Sequence, residues 1–209
     1  MSQKMPTRYS ASFTAGSLLH KETVALLPLL QSSNAEQHIK DEIKNNKRLH
    51  INSESARKRT VYEIIKRTEW VEPAIWDFYA SCSEEEQKAL LFYVCLKTYA
   101  LMFDFHFNVT LKLWNSSSQA VTPYFYQMEL DEIAARDEQV DKWTDITKRK
   151  AISVYLRILK EIKLLNASNE IQPIHLADHF WRYFVNKQEF WFLEACLLSN
   201  REKERLMQL

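Results

Sequence analysis

Glycine is almost missing from this chain: Gly16 is the only one in 209 residues, and there are just five prolines. Tight β-hairpins need residues with positive φ, usually glycine, so a sheet-rich architecture is excluded and long helices meet few breakers. The expected fold is mainly α. One glycine also cannot build a phosphate-cradling loop, which removes P-loop nucleotide hydrolysis. The three cysteines, Cys82, Cys95 and Cys196, are odd in number, far apart and set in apolar surroundings. That pattern fits buried thiols and neither a disulfide framework nor a zinc ribbon. Cys82 stands beside acids and Cys95 in an apolar helix, neither of which favours a nucleophilic thiolate. Long apolar runs are lacking as well. The greasiest stretch, 89–103, is interrupted by Lys97 and Thr98 and falls short of the roughly 18 to 20 residues a membrane span requires. The first residues lack the continuous apolar core of a secretion signal, so a cytoplasmic protein with no membrane partner is expected.

A net charge of +1 conceals segregation along the chain. Residues 40–67 hold nine Lys/Arg against four Asp/Glu, and residues 148–163 hold six against one. Acidic blocks at 69–86 and 129–145 bring the total back to neutrality. Local excess of one sign, not the sum, decides what a surface attracts, and two basic blocks point to nucleic acid.

Each basic block opens with a run, Arg57-Lys58-Arg59 and Lys148-Arg149-Lys150, offset by ninety-one positions. At that offset Val61 meets Ile152, Ile64 meets Tyr155, Ile65 meets Leu156 and Lys66 meets Arg157. The echo suggests either two nucleic-acid-reading helices or two ordinary amphipathic helices that coincide. Helices are predicted over 21–31, with Pro28 kinking or shortening it, then from a Ser/Asn cap at 32–34 to 45–46, then from Ser53 or Ser55 to about 68. On the third, Arg59, Glu63 and Lys66 point outward and Val61, Ile64, Ile65 and Thr68 inward. Three short helices ending in a basic one have the form of a helix-turn-helix module. A short helix follows Pro73. Ser83 and three acids then cap a long apolar helix reaching at least Phe103, with a further helical stretch to Trp114 and a loop at Asn115-Ser116-Ser117-Ser118. Helices from Pro123 to about 138 and from about 147 to 165 come next. The latter buries Ile152, Tyr155, Leu156, Leu159 and Ile162 and turns Lys150, Ser153, Arg157 and Lys160 to the opposite face. A turn at 166–169 and the alternating segment 170–174 suit a β-wing, so the second module resembles a winged helix. The expected organisation is a helix-turn-helix-like module over 1–72, a central helical segment over 73–118, and a winged-helix-like module with an aromatic helical tail over 119–209.

Candidate chemistry elsewhere is thin. His175 and His179, four apart beside Asp178, have the spacing of a helical metal site, but Leu176 stands where the glutamate of a zincin motif belongs and no third ligand lies near. Packing or capping roles fit them better. Asp104 and His106 alternate with phenylalanines and more readily mark a buried helix end than an acid–base pair. The tail aromatics, Phe180, Trp181, Tyr183, Phe184, Phe190, Trp191 and Phe192, could stack bases of a single strand, yet their helical spacing is that of a core. No catalytic residue, metal or cofactor is expected.

The arm Tyr9-Ser10-Ala11-Ser12-Phe13-Thr14-Ala15-Gly16 with Leu18-Leu19, followed by the segments Trp143 to Lys150 and Leu159 to Leu165, resembles the BrxA family of BREX bacteriophage-defence systems across essentially the whole chain. Family members often carry glycine where this chain has Ser17 and Lys163. The resemblance implies a small, cytoplasmic, non-enzymatic component encoded beside a methyltransferase, an ATPase and a phosphatase-like protein, and association with nucleic acid. The family has been described both as similar to an RNA-binding antitermination factor and as an inner-membrane protein. The residues themselves argue against the membrane and for duplex DNA, since paired helix-turn-helix-like modules suit a major groove.

The expectation is therefore a monomer or weak dimer that binds double-stranded DNA mainly through phosphates. Arg57, Lys58, Arg59 and Lys66 would act in one module, and Lys148, Arg149, Lys150 and Arg157 in the other. Arg57 and Lys148 fall toward the buried sides of their helices and act only if they project from the helix start. Base readout is the weaker expectation, because few Asn or Gln residues share the faces of those cations. Two rivals remain: a scaffold that docks other BREX proteins through its acidic blocks and exposed aromatics, and an RNA-binding helical domain that uses the aromatic tail.

Overall fold

The computed structural model describes residues 8–116 and 120–208; Ser117 and Ser118 of the expected serine loop lie outside them. The chain is mainly helical. A 3₁₀ turn at Ser12–Ala15 leads into α1 (His20–Leu30), α2 (Ala35–Asn45) and α3 (Glu54–Thr68). Next are α4 (Ile75–Ser81), α5 (Glu84–Thr98) and α6 (Ala100–Trp114). The second half contains α7 (Pro123–Ala134), α8 (Glu138–Asp141) and α9 (Asp145–Glu161). The tail forms α10 (Asp178–Asn186), α11 (Phe190–Ala195) and α12 (Asn200–Met207).

Near-absence of glycine does not stop the chain from turning. Eight non-glycine residues among those described take positive φ, including Ser17, Asn46, Lys163 and Asn169. Ser17 (φ 59°) and Lys163 (φ 63°) take the kind of turn that glycine favours while carrying side chains. Gly16 itself lies outside the left-handed region (φ −168°); its need is for space, since a Cβ there would meet Leu19 Cδ2 at 2.1 Å.

Packing forms two apolar clusters. The smaller joins Leu19, Leu26, Ile39, Ile43, Leu49, Val61 and Ile64, from the arm, α1, α2, the following turn and α3. The larger draws on α4 to α12 together with Phe13, Leu18 and Leu27. At its centre α5 is buried around its whole circumference from Ala89 to Leu96, as its unbroken apolar composition requires. It is shorter than expected. It ends at Thr98, Tyr99 takes an extended conformation (φ −123°, ψ 108°), and α6 departs at 111°. The cause is tertiary: the Tyr99 hydroxyl is held between Arg67 and Glu63 on α3. Among the described residues no single helix is long and apolar enough to cross a membrane.

Inside α6, residues Phe105–Thr110 widen into a π-helical stretch, the kind of local insertion that redirects side chains. It aims His106 and Thr110 into the core. Thr110 Oγ1 lies 2.9 Å from the Tyr126 hydroxyl on α7 and 2.8 Å from the Tyr155 hydroxyl on α9. His106 Nδ1 is 2.9 Å from the same Tyr155 hydroxyl, and its Nε2 is 2.8 Å from the Ala195 carbonyl. Burial lowers the His106 pKa to about 4, so the ring is neutral there. This network fixes α7 against α9. The expected wing is reduced to two isolated antiparallel bridges, Leu165 with Ile171 and Ala120 with Glu170; they brace the turn at 166–169 without becoming strands.

Candidate nucleic-acid interface

The two basic helices begin alike. Ser53 accepts from the Ala56 amide and Thr144 from the Thr147 amide, and both pairs keep the ninety-one-residue offset. Burial follows it too: Val61, Ile64, Ile152 and Tyr155 are all buried, while Ile65 and Leu156 are half-buried. Beyond the caps and the apolar stripe the two helices diverge, because their cations meet different surroundings.

On α3 the structure withdraws two of the four expected cations from the surface. Arg57 is 6% exposed. Its guanidinium donates to the Ile43, Lys44, Ile51 and Asn52 carbonyls, closing the end of α2 and the turn behind it. Glu42, equally buried, accepts the Lys47, Arg48 and Leu49 amides of the same turn. Lys66 is half-buried, donates to Ser12 Oγ at 2.9 Å and lies 4.9 Å above the Tyr99 ring. Glu63, expected to face outward, is buried against Ser12 and Tyr99, since the N-terminal arm covers this end of α3. Lys58 is exposed but paired with Glu54 at 2.8 Å. Arg59 is the exposed cation of α3 with no ion-pair partner among the described residues.

Arg67, which the sequence pattern did not single out, is the largest fully buried side chain of α3. It donates to the Ser17 and Leu18 carbonyls and to the Tyr99 hydroxyl. With Ser17 Oγ donating to Glu161 on α9 at 2.8 Å and Tyr9 bonded to Asp104 on α6 at 2.6 Å, the arm ties α3 to the larger core. Asp104 is thereby committed to the arm, and the neutral His106 to the core.

On α9 the cations stay open. Arg149, Lys150 and Arg157 are exposed, as are Ser153 and Lys160, while Lys148 is half-buried. None of these five cations has an ion-pair partner among the described residues; Arg149 makes a local bond from Nε to the Asp145 carbonyl. Arg149, Arg157 and Lys160 form one wall of a groove of about 710 Å³, with Ile152 and Leu156 between them. The other wall is the start of α7, where Pro123, Tyr124 and Gln127 line it, and Asn169 from the braced turn also lines the groove. No carboxylate is among the described residues that line it. Tyr124, Gln127 and Asn169 escaped the sequence reading because they sit on other elements; core packing and the π-helical network bring α7 beside α9. Gln127 and Asn169 supply the amides that seemed to be missing near the cations.

The remaining candidates have structural employment. His179 Nε2 faces Glu86 at 3.2 Å and Asp178 pairs with Arg205; the described residues hold no group of three metal-ligating side chains. Cys82, Cys95 and Cys196 are free and buried, and burial pushes the Cys82 thiol up to about 12. Phe180, Trp181, Phe184 and Phe192 are core residues, Tyr183 and Trp191 pack against them, and Phe190 is exposed. The tail is thus a core element, and the stacking platform expected for single-stranded RNA is largely buried.

Comparison with known proteins agrees with this architecture. The sequence profile of the BrxA family matches residues 7–188. The BREX protein BrxA of Bacillus cereus (strain H3081.97) is 24% identical over 153 residues, covering 73% of this chain and 76% of that protein. The crystal structure of an uncharacterized protein from Magnetospirillum magneticum superposes with a TM-score of 0.76 at 21% identity, covering 90% of this chain and 97% of the other.

Proposed function

The chain belongs to the BrxA family, and from that premise we propose that it is a cytoplasmic, non-enzymatic component of a BREX bacteriophage-defence system that binds duplex DNA. The observation that carries the DNA reading is the α9 wall, where Arg149, Arg157 and Lys160 line a groove that has no carboxylate among its described lining residues. Three exposed cations elsewhere, Lys40, Lys58 and Lys187, are matched to acids. Unmatched cations on a rigid helix attract phosphates and release their counterions. Lys150 extends the α9 surface, and Arg59 with Lys58 offers a second contact on α3. Phosphate contacts of this kind position a protein on DNA without reading sequence.

The test is the affinity of the protein for a random duplex of about 30 base pairs over a salt series. A log–log slope of about −4 to −8 corresponds to roughly four to nine phosphates at about 0.9 each, and Arg149→Glu with Arg157→Glu should flatten it. No binding at low salt overturns the reading. A scaffold that docks other BREX proteins is the second reading, favoured by exposed Phe125, Met128 and Ile146 near the start of α7 and α9. A protein that binds no DNA yet co-purifies with those partners returns it.

A further inference from the structure

The α7/α9 groove is built for more than phosphates. A surface that touches only the backbone of a duplex needs cations and polar donors, whereas this groove has an apolar floor, Ile152 and Leu156, and an aromatic rim, Tyr124. Tyr124 is 64% exposed, while Tyr126 two positions on is wholly buried, so the ring on the rim is not a core residue that failed to pack. Arg149 and Arg157 are eight residues apart on one helix, a separation of about 12 Å along its axis, with the apolar floor between. Gln127, which also lines the groove, donates from Nε2 to Asp131 Oδ1 at 2.8 Å, and an amide so engaged still has its Oε1 as an acceptor. A volume of about 710 Å³ lies within the roughly 300 to 1,000 Å³ of pockets that enclose small organic ligands.

We propose that this groove receives one unpaired base of the bound DNA, stacked on Tyr124 over the Ile152–Leu156 floor, with its edge at Gln127 and its flanking phosphates at Arg149 and Arg157. The proposal rests on the DNA-binding reading and deepens it: the preferred ligand is DNA with an unpaired nucleotide, not a continuous duplex. Stacking of a base on an aromatic ring is tolerant of base identity, so the preference is for unpairing rather than for a sequence.

The experiment compares a blunt duplex with the same duplex carrying a short bulge of unpaired thymines, at one salt concentration. The bulged duplex should bind about tenfold tighter, in the range that stacking of one base supplies. Tyr124→Ala should bring the ratio of the two affinities to about one, and Tyr124→Trp should keep it; Tyr124 is exposed, so both variants should fold, which circular dichroism checks. Equal affinity of the unaltered protein for both DNAs overturns the proposal and leaves duplex binding standing. A preference that survives Tyr124→Ala assigns it to the flexibility of the bulge and also overturns the proposal. Binding of neither DNA removes the DNA-binding reading itself.

Discussion

Lys163 sits at φ 63°, where an L side chain crowds the following carbonyl, at a cost of about 1 to 2 kcal/mol that glycine escapes. Its ammonium pairs with Glu85, but both partners are more than half exposed, and such pairs contribute about 0 to 1 kcal/mol. Glycine also adds freedom to the unfolded chain, which takes back part of the gain. The balance favours Lys163→Gly, with stability raised by about 0.5 kcal/mol or slightly more; a shift of the urea midpoint at constant slope measures it, and a lowered midpoint contradicts the strain argument. Ser17 differs, because its hydroxyl holds Glu161, and the same change there removes a bond between arm and α9. At this scale the sequence was legible where side chain and backbone agree and misleading where they do not. The runs Arg57-Lys58-Arg59 and Lys148-Arg149-Lys150 look equivalent as letters. Yet Arg57 is consumed by four carbonyls, while Arg149 and Lys150 face solvent. Helical phase was the available signal, since Arg57 falls toward the buried side of its wheel, but phase alone does not say that unsatisfied carbonyls wait there.

Those carbonyls belong to the end of α2 and the turn that leads to α3, and the turn is an element in its own right. Residues 46–52 have little apolar content beyond Leu49 and Ile51 and run through two left-handed residues, Asn46 and His50. Glu42 gathers three of the turn's amides and Arg57 gathers two of its carbonyls and two from α2. A buried carbonyl without a partner costs about 1 to 3 kcal/mol, and water entering the gap relieves some of that. Arg57→Ala should therefore destabilise the protein by about 2 to 4 kcal/mol, whereas Arg59→Ala, on the exposed face, should stay within about 0.5 kcal/mol. Urea unfolding of the two variants checks this, and equal stabilities would deny the turn its role. Elements set by local chemistry were readable in advance: the Ser53 cap, the Ser83 capping box, the Pro123 start of α7. The break at Tyr99 was not. Nothing near Tyr99 in sequence opposes a helix, and its extended backbone follows from Arg67 and Glu63 more than thirty positions earlier. The groove was half legible for the same reason. Its α9 wall is periodic, but its α7 wall arrives through Thr110, Tyr126 and Tyr155, a contact that no spacing announces.

For the molecule as a whole, the near-zero net charge is the sum of surfaces that behave differently. The basic residues of α9 stand open, those of α3 are mostly engaged, and the arm joins the two bodies through Ser12, Phe13, Ser17 and Leu18. Because Arg67 and Glu63 anchor that arm inside the protein, α3 and α9 are presented on one framework rather than on a flexible link. If both helices touch a single duplex, each charge reversal removes its own phosphate contact. Arg59→Glu and Lys150→Glu should then each lower affinity and each reduce the salt slope by about 0.9. Losses at separate sites add in free energy, so the double variant should multiply the two single losses and reduce the slope by about twice as much. Binding measured across the same salt series separates this from engagement by α9 alone. In that case Lys150→Glu and the double variant lose equally, Arg59→Glu alone loses nothing, and α3 is left as a structural counterpart of the binding helix, sharing its caps and its buried stripe but not its phosphates.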